Sequence, residues 1–260
     1  MRPSLPPLLR RAPRRGVPPF HYDADRGGAA LNITADGAAF AAEAAARLEE
    51  ASATEIIQWA ADTFGDRLCL TASMADAVMV DLVSKVVPGI DVIFLDTGYH
   101  FPETLGTRDA VAQTYPINLI TVTPSRTVAE QDRDLGPRLY ARNPDLCCYL
   151  RKVEPLQRAL QSYDAWLTGL RRDEAVTRRT VGVVQWDARK KKIKVNPIAR
   201  WTQEQVDSYI AEHGVLVNPL QDDGYPSIGC APCTQRVPEG ADPRSGRWAG
   251  TGKVECGLHS

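Results

Sequence analysis

Apolar and polar positions along the chain follow two repeating patterns, one with helical spacing and one typical of short buried strands. The Ala-rich stretch from Gly37 to Phe64 predicts two helices with a break near Ser52 to Thr54. Strand-like and helix-like segments then alternate. The predicted strands are Arg67–Thr71, Asp91–Leu95, Ile117–Val122, Ala165–Leu167 and Lys192–Ile198, and the predicted helices are Asp76–Val87, Glu103–Thr114, Pro144–Ser162 and Thr202–His213. This alternation predicts βαβ units, and therefore an α/β fold with a mostly parallel sheet flanked by helices.

The two ends of the chain lack these patterns. Residues 1–36 contain several arginines and prolines and no acidic residue before Asp23, and they predict a disordered N-terminal extension, with an Arg-rich transit peptide as the alternative. Residues 37–233 are predicted to form the α/β domain. After Asn218 the composition shifts to Pro, Gly, Cys and charged residues, and residues 234–260 predict an irregular, mobile C-terminal tail.

The composition limits the classes of partner. Lys and Arg number 31 against 32 Asp and Glu, so the net charge gives no general argument for nucleic acid or a membrane surface, and an anion site has to be local. No apolar run reaches the roughly 18 residues of a membrane-spanning helix, and no secretory signal opens the chain. We expect a soluble, cytoplasmic protein with one main domain, for which 43% hydrophobic residues provide a full core.

Five of the six cysteines fall into two groups with different expected roles. Cys69 lies inside an apolar strand pattern and is expected in the core. Cys147 and Cys148 are adjacent, and Cys230 and Cys233 form a second close pair far along the chain. The pattern predicts a four-thiolate metal site closed by the fold, because disulfides are disfavoured in the cytosol and a vicinal pair is a poor disulfide. A 4Fe-4S cluster, zinc and no metal stay open, although structural zinc sites do not usually use a vicinal pair.

The sixth cysteine, Cys256, lies near the end of the chain and is followed by Gly257. The thiolate is the reactive form of cysteine, and nearby cations lower the thiol pKa. Lys253 and His259 are candidates for that role. Taken alone, Cys256 is either an incidental thiol or a nucleophile.

Polar residues gather where the predicted strands end, which is where parallel sheets bind ligands. Ser73 follows the first strand in a turn that predicts either a phosphate site or an ordinary N-cap. Further candidates for an anion site, several of them with a solvated surface as the alternative, are Asp96, Thr97, Gly98, Gly169, Arg171, Arg172, Arg244, Arg247 and Trp248. Arginine suits bidentate contacts to phosphate or sulfate. The placement of most of these residues at successive strand ends predicts one common anion site.

Three motifs follow one another along the chain. They are Leu-Asp-Thr-Gly-Tyr-His-Phe-Pro-Glu-Thr at 95–104, Thr-Gly-Leu-Arg-Arg at 168–172 and Glu-Cys-Gly-Leu-His at 255–259. With these motifs the chain resembles the adenylylsulfate and phosphoadenylylsulfate reductases of sulfate assimilation, from about Phe64 to His259. The resemblance implies an adenine nucleotide α-hydrolase-like (Rossmann-like) fold, with a nucleotide at the strand ends and the C-terminal segment closing over it. The turn after the first strand is a variant of the family's phosphate-side turn.

The cysteine pairs refine the resemblance. Family members with Cys-Cys and Cys-x-x-Cys bind one 4Fe-4S cluster and prefer adenosine 5'-phosphosulfate (APS). The resemblance therefore implies that Cys147, Cys148, Cys230 and Cys233 hold a cluster and that APS is the substrate. Forms specific for the 3'-phosphorylated nucleotide (PAPS) usually lack these cysteines, but some cluster-bearing members accept both. A PAPS-preferring or dual-specificity reductase stays open.

The resemblance also implies the chemistry. Cys256 attacks the sulfur of APS, AMP leaves, and thioredoxin releases sulfite from the S-sulfocysteine, in sulfate assimilation and cysteine biosynthesis. Cations must offset the repulsion between anionic groups during the attack. The implied substrate-binding residues are Ser73, Asp96, Thr97, Gly98, Lys152, Gly169, Arg171, Arg172, Arg244, Arg247 and His259. A nucleotide-binding metal or redox sensor is the non-enzyme alternative, and homo-oligomerisation stays open.

Overall fold

The structure is a computed structural model and describes residues 33–258, which begin with two helices. Helix α1 spans Ile33–Leu48 and helix α2 spans Ala53–Phe64. Ser52 caps α2 in a capping box with Glu55. The cap satisfies backbone N–H groups that the start of a new helix would otherwise leave unpaired, and it confirms the predicted break between the helices.

The predicted boundary between the N-terminal extension and the α/β domain lies inside α1. Residues 1–32 of the extension lie outside the described residues, whereas Ile33–Asp36 belong to the helix. Gly37 does not mark the start of the helix. A Cβ atom at this position would overlap the ring of Trp186, so the glycine allows α1 to pack closely against the sheet.

The centre of the fold is a sheet with six strands in the described residues. They are β1 (Leu68–Thr71), β2 (Asp91–Leu95), β3 (Asn118–Val122), β4 (Ala165–Leu167), β5 (Val184–Asp187) and β6 (Lys192–Val195). Their order is β3-β2-β1-β4-β6-β5, and all are parallel except β5, which pairs antiparallel with β6. The predicted α/β class is therefore confirmed. Because β2 and β4 lie on opposite sides of β1, the strand order reverses there, and open parallel sheets bind ligands at such a point.

Helices cover both faces of this sheet. After α2 come α3 (Val78–Val86), α4 (Pro102–Thr114), α5 (Val128–Leu135), α6 (Leu139–Arg142), α7 (Pro144–Cys148), α8 (Glu154–Ala159) and α9 (Gln203–His213). A π-helical turn at Tyr149–Val153 joins α7 to α8. Within residues 33–258, no helix has both the length and the apolar character needed to cross a membrane.

Alternate residues of the central strands pack on opposite faces. Leu70 and Leu167 contact the apolar sides of α1, α2 and α3, whereas Cys69 and Trp166 pack with Leu156 of α8. All these strand residues are 1% exposed or less, and Cys69 is therefore a core residue as predicted. Dense packing on both faces fixes the positions of the strand ends, and with them the residues that follow each strand.

Residues 234–258, which we call the C-terminal segment, form no helix or strand in the described part of the chain, as predicted for the tail. An antiparallel bridge joins Thr234 to Arg247, and the Trp248 N–H donates to the Cys233 carbonyl at 3.0 Å. The segment belongs to the same compact unit as the sheet. Its mobility stays a prediction.

Candidate active site

A cavity of about 290 Å³ opens at the carboxyl ends of β1, β2 and β4, and we call it the strand-end cavity. The predicted site residues that line it are Ser73, Lys152, Gly169, Arg171, Arg244, Arg247 and Cys256. They come from the turn after β1, the π-helical turn, the segment after β4 and the C-terminal segment. The cavity lies where the strand order reverses, so the fold assembles these residues at the expected edge of the sheet.

Four buried polar atoms of cavity-lining residues have no hydrogen-bond partner among the described residues. Three are nitrogen donors, namely Arg171 Nη1, Arg247 Nε and Trp248 Nε1, and the fourth is His100 Nδ1. Buried polar groups are normally satisfied, so unpaired donors around a cavity indicate a ligand with acceptor atoms. Sulfate and phosphate oxygens are acceptors that suit guanidinium groups.

The turn after β1 contributes Ser73 to the cavity lining. Met74 next to it adopts a left-handed conformation with φ 62°, and the Asn218 amide donates to its carbonyl at 3.0 Å. Ser73 does not cap α3, because Ala77 occupies the N-cap position. The N-cap alternative for Ser73 is therefore excluded, and its contact with phosphate stays a prediction.

The two arginines after β4 have different surroundings. Arg171 is 8% exposed and donates to the Gln203 side chain at 2.6 Å. Arg172 instead forms hydrogen bonds of 2.6 and 3.1 Å to the Glu49 carboxylate and one of 2.7 Å to the Val181 carbonyl. The structure thus brings Arg171 to the strand-end cavity, whereas Arg172 connects this segment to the end of α1.

The turn after β2 carries three further predicted residues, which do not line the strand-end cavity. Asp96 accepts a hydrogen bond from the Gly98 N–H at 2.9 Å. Thr97 is fully buried, and its hydroxyl lies 3.3 Å from the Cys230 sulfur. Gly98 has φ 72°, and a Cβ there would lie 3.0 Å from the Arg151 guanidinium. The turn therefore faces the cysteines rather than the cavity beside β1.

The two cysteine pairs meet in a second, smaller cavity, which we call the cysteine cavity. Its lining consists of Cys147, Cys148, Cys230 and Cys233 together with Tyr99, Tyr140, Pro144, Arg151, Lys152, Arg247 and Trp248. The Ala231 N–H donates to the Tyr99 carbonyl at 2.7 Å and fixes the Cys-x-x-Cys turn beside the turn after β2. All four residues carry free thiols. The fold thus brings the two pairs to one cavity, and their role as metal ligands stays a prediction.

The donor set of the cysteine cavity is four cysteine thiols, which have the chemistry to bind an iron–sulfur cluster or zinc. Among the described residues, no three His, Cys, Asp or Glu side chains converge on a site for a single ion. A cluster takes one thiolate on each iron, so its ligands are spread more widely. Burial, followed by the charges of Cys230 and Cys233, raises the pKa of Cys147 to about 11. Four thiolates here would need a cationic centre, and Arg151 and Lys152 supply part of that charge.

Lys152 lines both cavities and connects them electrostatically. Burial by itself lowers the pKa of its ammonium group, but Cys230, Cys256 and Cys148 raise it overall. Lys152 therefore stays protonated at neutral pH. A buried cation thus lies between the two cavities.

Cys256 is 7% exposed and packs beside Cys148. Its pKa is lowered to about 5, first by a hydrogen bond from the Cys148 thiol; burial opposes this shift, and Lys152, the Leu258 backbone and Arg247 lower the pKa further. The contribution of Cys148 requires a protonated thiol, whereas those of the two cations do not. The surroundings of Cys256 therefore favour the thiolate.

Lys253 and His259 were the two predicted cations near Cys256, and the structure describes only the first. His259 lies outside the described residues. Lys253 forms an ion pair with Asp145, and its ammonium group lies 5.7 Å from the centre of the Trp248 ring. The pKa of Lys253 is raised: burial opposes the shift, but Asp145 and the two cysteines Cys148 and Cys256 outweigh it.

Sequence reasoning missed several charged residues of the strand-end cavity, among them Glu174, Arg178 and Glu255. Arg178 pairs with both carboxylates, although it lies 77 residues from Glu255 along the chain. The position of Glu255 beside Cys256 in the last motif was a usable signal. Arg178 lies outside the three motifs and had no such signal.

Relatives in sequence show the family of the chain. The profile of the phosphoadenosine phosphosulfate reductase domain matches residues 67–236. The adenosine 5'-phosphosulfate reductase of Streptomyces coelicolor is 61% identical over 221 residues, covering 85% of this chain and 94% of that protein. The enzymes of the same name from Mycolicibacterium smegmatis and Mycobacterium tuberculosis are 56% and 54% identical, covering 83% and 85% of this chain and 91% and 93% of those proteins.

Solved structures agree with the fold. A phosphoadenylyl-sulfate reductase from Candida auris, in a phosphate complex, matches with a TM-score of 0.65 at 33% identity, covering 76% of this chain and 96% of that one. An FMN adenylyltransferase from Candida glabrata matches with a TM-score of 0.54 at 12% identity, covering 82% and 70%, a likeness of fold alone. The fold is adenine nucleotide α-hydrolase-like, as the resemblance implied. The chain therefore belongs to the family of adenosine 5'-phosphosulfate and phosphoadenosine phosphosulfate reductases, and within it groups with the adenosine 5'-phosphosulfate reductases.

Proposed function

We propose that this protein reduces APS to sulfite and AMP, with Cys256 as the nucleophile and thioredoxin as the reductant. The observation that carries the proposal is a buried thiol at a cavity lined by unpaired nitrogen donors of Arg171, Arg247 and Trp248. Such a cavity suits an anionic ligand whose electrophilic atom comes close to the thiol. Relatives that are 54% to 61% identical are named for APS, which supports this nucleotide over PAPS.

The reaction divides into two displacements. The Cys256 thiolate donates an electron pair to the sulfur of APS, the S–O bond to the phosphate breaks, and AMP leaves with that bonding pair. The product on the enzyme is an S-sulfocysteine. A thioredoxin thiolate then attacks Sγ of Cys256 and releases sulfite, and its second thiol resolves the mixed disulfide. In sum, APS and a dithiol give sulfite, AMP and a disulfide.

Cations around the cavity make the first step feasible, because an anionic nucleophile approaches a substrate that carries negative charge. Lys152 and Arg247 lie close enough to Cys256 to lower its pKa, and both line the cavity. We assign Arg171 and Arg247 to substrate oxygens, since each has a buried nitrogen without a protein partner in the described chain. Arg244 and His259 are further substrate-binding candidates from the C-terminal part.

We further propose that Cys147, Cys148, Cys230 and Cys233 hold one 4Fe-4S cluster. The cysteine cavity has the thiols, and Arg151 and Lys152 beside them offset anionic charge. When bound, the cluster supplies a rigid link between α7 and the Cys-x-x-Cys turn and a charged neighbour for Lys152. Its role is structural and electrostatic, because thiols provide both electrons of the reduction.

The proposed setting is the cytoplasm, in assimilatory sulfate reduction and cysteine biosynthesis. Thioredoxin must reach Sγ of Cys256, which is 7% exposed, so the C-terminal segment has to move during each turnover. We therefore keep the proposal that the tail is mobile.

Sulfite release tests the function directly. With thioredoxin and APS, we expect sulfite and AMP in equal amounts, none from Cys256→Ser, and a much higher kcat/KM for APS than for PAPS. A higher kcat/KM for PAPS would show that PAPS, and not APS, is the preferred substrate. Absence of sulfite with both nucleotides, together with tight nucleotide binding, would favour a sensor instead.

The cluster has its own test. Anaerobically purified protein should contain four irons per chain and absorb visible light, and Cys233→Ser should lose both properties. A colourless protein with one zinc per chain would overturn the cluster assignment and leave the role of Cys256 intact.

A further inference from the structure

The residue immediately before the nucleophile is held by an unusually complete set of donors. Arg178 binds both oxygens of the Glu255 carboxylate, with Nε 2.8 Å and Nη2 2.9 Å away. The Thr177 hydroxyl donates to the same carboxylate at 3.0 Å, and Arg244 Nη2 at 3.2 Å. A bidentate guanidinium contact fixes orientation as well as distance.

Further ion pairs and hydrogen bonds connect Arg178 to the segment that follows β4. Arg178 Nη1 lies 2.5 Å from the Glu174 carboxylate. Glu174 in turn accepts the backbone N–H of Arg171 at 3.2 Å and lies 3.8 Å from its guanidinium. Charges of alternating sign thus connect Glu255 to the segment that follows β4, and therefore to a part of the chain that the sheet holds in place.

The pair is largely shielded from solvent. The Arg178 side chain is 12% exposed and the Glu255 side chain 20%. Burial alone would raise the pKa of Glu255, but Arg178 and Arg244 hold it below its usual range, so the carboxylate is ionised at neutral pH. Removing one partner of such a pair leaves an uncompensated charge, which costs more than losing an exposed ion pair.

A second ion pair of the segment, which has one exposed partner, provides the contrast. Lys253, whose side chain is 9% exposed, binds Asp145, whose side chain is 83% exposed. Solvent screens this contact, and it connects the segment to the N-terminal part of α7 rather than to the strand end. Both pairs start from the same part of the C-terminal segment, at Lys253 and Glu255, and they differ mainly in the exposure of the partner outside it, which is 12% for the Arg178 side chain and 83% for that of Asp145.

We propose that Glu255 and Arg178 are positioning residues, which hold the C-terminal segment in the state where Cys256 meets the substrate. Neither residue transfers electrons or protons. Arg178 acts through Glu255, and Glu255 acts through the single peptide that joins it to Cys256. This inference rests on the proposed function, because it assigns the pair to the first of two displacements. The second displacement requires the pair to open.

The two half-reactions separate this role from a merely structural one. In single-turnover experiments without thioredoxin, Glu255→Gln and Arg178→Met should form the S-sulfocysteine about tenfold more slowly than the unmodified protein. Once the adduct has formed, thioredoxin should release sulfite from both variants at least as fast as from the unmodified protein. Arg178→Lys keeps the charge but not the bidentate contact, so its rate of adduct formation should lie between those of the unmodified protein and Arg178→Met.

Hydrogen exchange gives a readout that does not depend on activity. Without nucleotide, amides of residues 249–258 should exchange at least about fivefold faster in Glu255→Gln, while those of β1 and β4 should not change. Asp145→Asn is the matched control and should resemble the unmodified protein in both experiments. Thermal unfolding of each variant establishes that the fold is retained.

Each result decides one question. Adduct formation and exchange that are unchanged in both Glu255→Gln and Arg178→Met would overturn the positioning role, as would equal effects of Asp145→Asn. Slowing of both half-reactions to the same extent would also contradict it. Absence of any adduct in the unmodified protein would refute the proposed function, whereas the exchange data would still test whether the pair holds the segment.

Discussion

The parallel sheet and the C-terminal segment meet at one cavity but are held in place by different interactions. In the sheet, Leu70, Ile93 and Trp166 are 1% exposed or less and pack between helices. In the segment, the contacts are mainly polar and include the Glu255–Arg178 pair. Opening the segment breaks a few local contacts, whereas opening the sheet exposes the core. The difference allows a rigid binding site and a movable nucleophile in one small domain.

Two buried cysteines illustrate the same contrast. Cys69 lies in β1, where burial and then the charge of Asp91 raise its thiol pKa, so it stays protonated. Cys256 is also buried but borders a cavity with cations. Its pKa is lowered first by a hydrogen bond from the Cys148 thiol, which a bound cluster would remove, and further by Lys152 and Arg247, which would remain. Burial alone thus predicts an inert thiol, and the polar and charged neighbours of Cys256 reverse that outcome.

The largest effect on stability is expected in the sheet. Leu70→Ala removes a fully buried side chain and should lower the free energy of unfolding by about 2–5 kcal/mol in urea titrations. Hydrogen exchange at residues 249–258 in native buffer should change little, because the segment opens without the sheet. Faster exchange at residues 249–258 together with the lower free energy of unfolding would show that the two regions unfold together.

A buried cation of the sheet provides a pH-dependent prediction. Lys194 is 4% exposed, and burial, followed by repulsion from Lys190, lowers its pKa to about 8. The unfolded chain therefore binds more protons than the folded one between pH 8 and the ordinary lysine pKa, so stability rises with pH in that window. Lys194→Met should add about 3 kcal/mol to the free energy of unfolding at pH 7.

That gain should be fully present below pH 8 and fade as the pH rises to the ordinary lysine value. Urea titrations of both proteins at pH 7 and pH 10 provide the comparison. An equal gain at both values would mean that packing, and not the charge of Lys194, determines the effect.

A smaller effect is expected from a glycine of the C-terminal segment. A Cβ on Gly246 would overlap the Gln235 carbonyl, whereas one on Gly252 would meet nothing within 4 Å. Gly246→Ala should therefore displace the bridge beside Trp248 at a local cost of about 1–3 kcal/mol. We expect the amides of residues 234–258 to exchange faster in Gly246→Ala and at an unchanged rate in Gly252→Ala. Equal behaviour of the two variants would refute the assigned packing.

The smallest effect is expected at the ion pair between Lys253 and the exposed carboxylate of Asp145. Asp145→Asn should change the free energy of unfolding by no more than about 0.5 kcal/mol, because solvent screens the contact with Lys253. Raising the salt concentration should reduce even this difference. A loss above 1 kcal/mol in urea titrations would mean that this pair, too, anchors the segment.

Local patterns were sufficient to predict much of the fold. The bounds of β2 and β4 agree with the predicted strands to the residue, because both are short apolar runs between polar residues. Strand β5 was missed. Its sequence Val-Gln-Trp-Asp mixes apolar and polar residues, and its state depends on antiparallel pairing with β6 at the sheet edge. Helix α5 was missed as well, since most of its residues are polar and it has few apolar positions from which to recognise a helix.

The site could be predicted only in part, for a related reason. Motifs indicated Cys256, which lines the strand-end cavity, and the two cysteine pairs line one cavity as a shared site requires, while the roles of all five cysteines stay predictions. The motifs could not separate Arg171 from Arg172, because the direction of each side chain depends on partners such as Glu49. The pairing of Arg178 with Glu255 arises from folding across 77 residues, and no local pattern encodes it.

Mass spectrometry of the protein after a single turnover tests the central claim most directly. The protein is incubated anaerobically with APS and without thioredoxin, and its peptides are mapped. The account predicts one sulfonate group per chain on Cys256, which thioredoxin removes as sulfite, and no adduct on the core thiol of Cys69. Sulfonate on any other cysteine, or full sulfite production by Cys256→Ser, would contradict it.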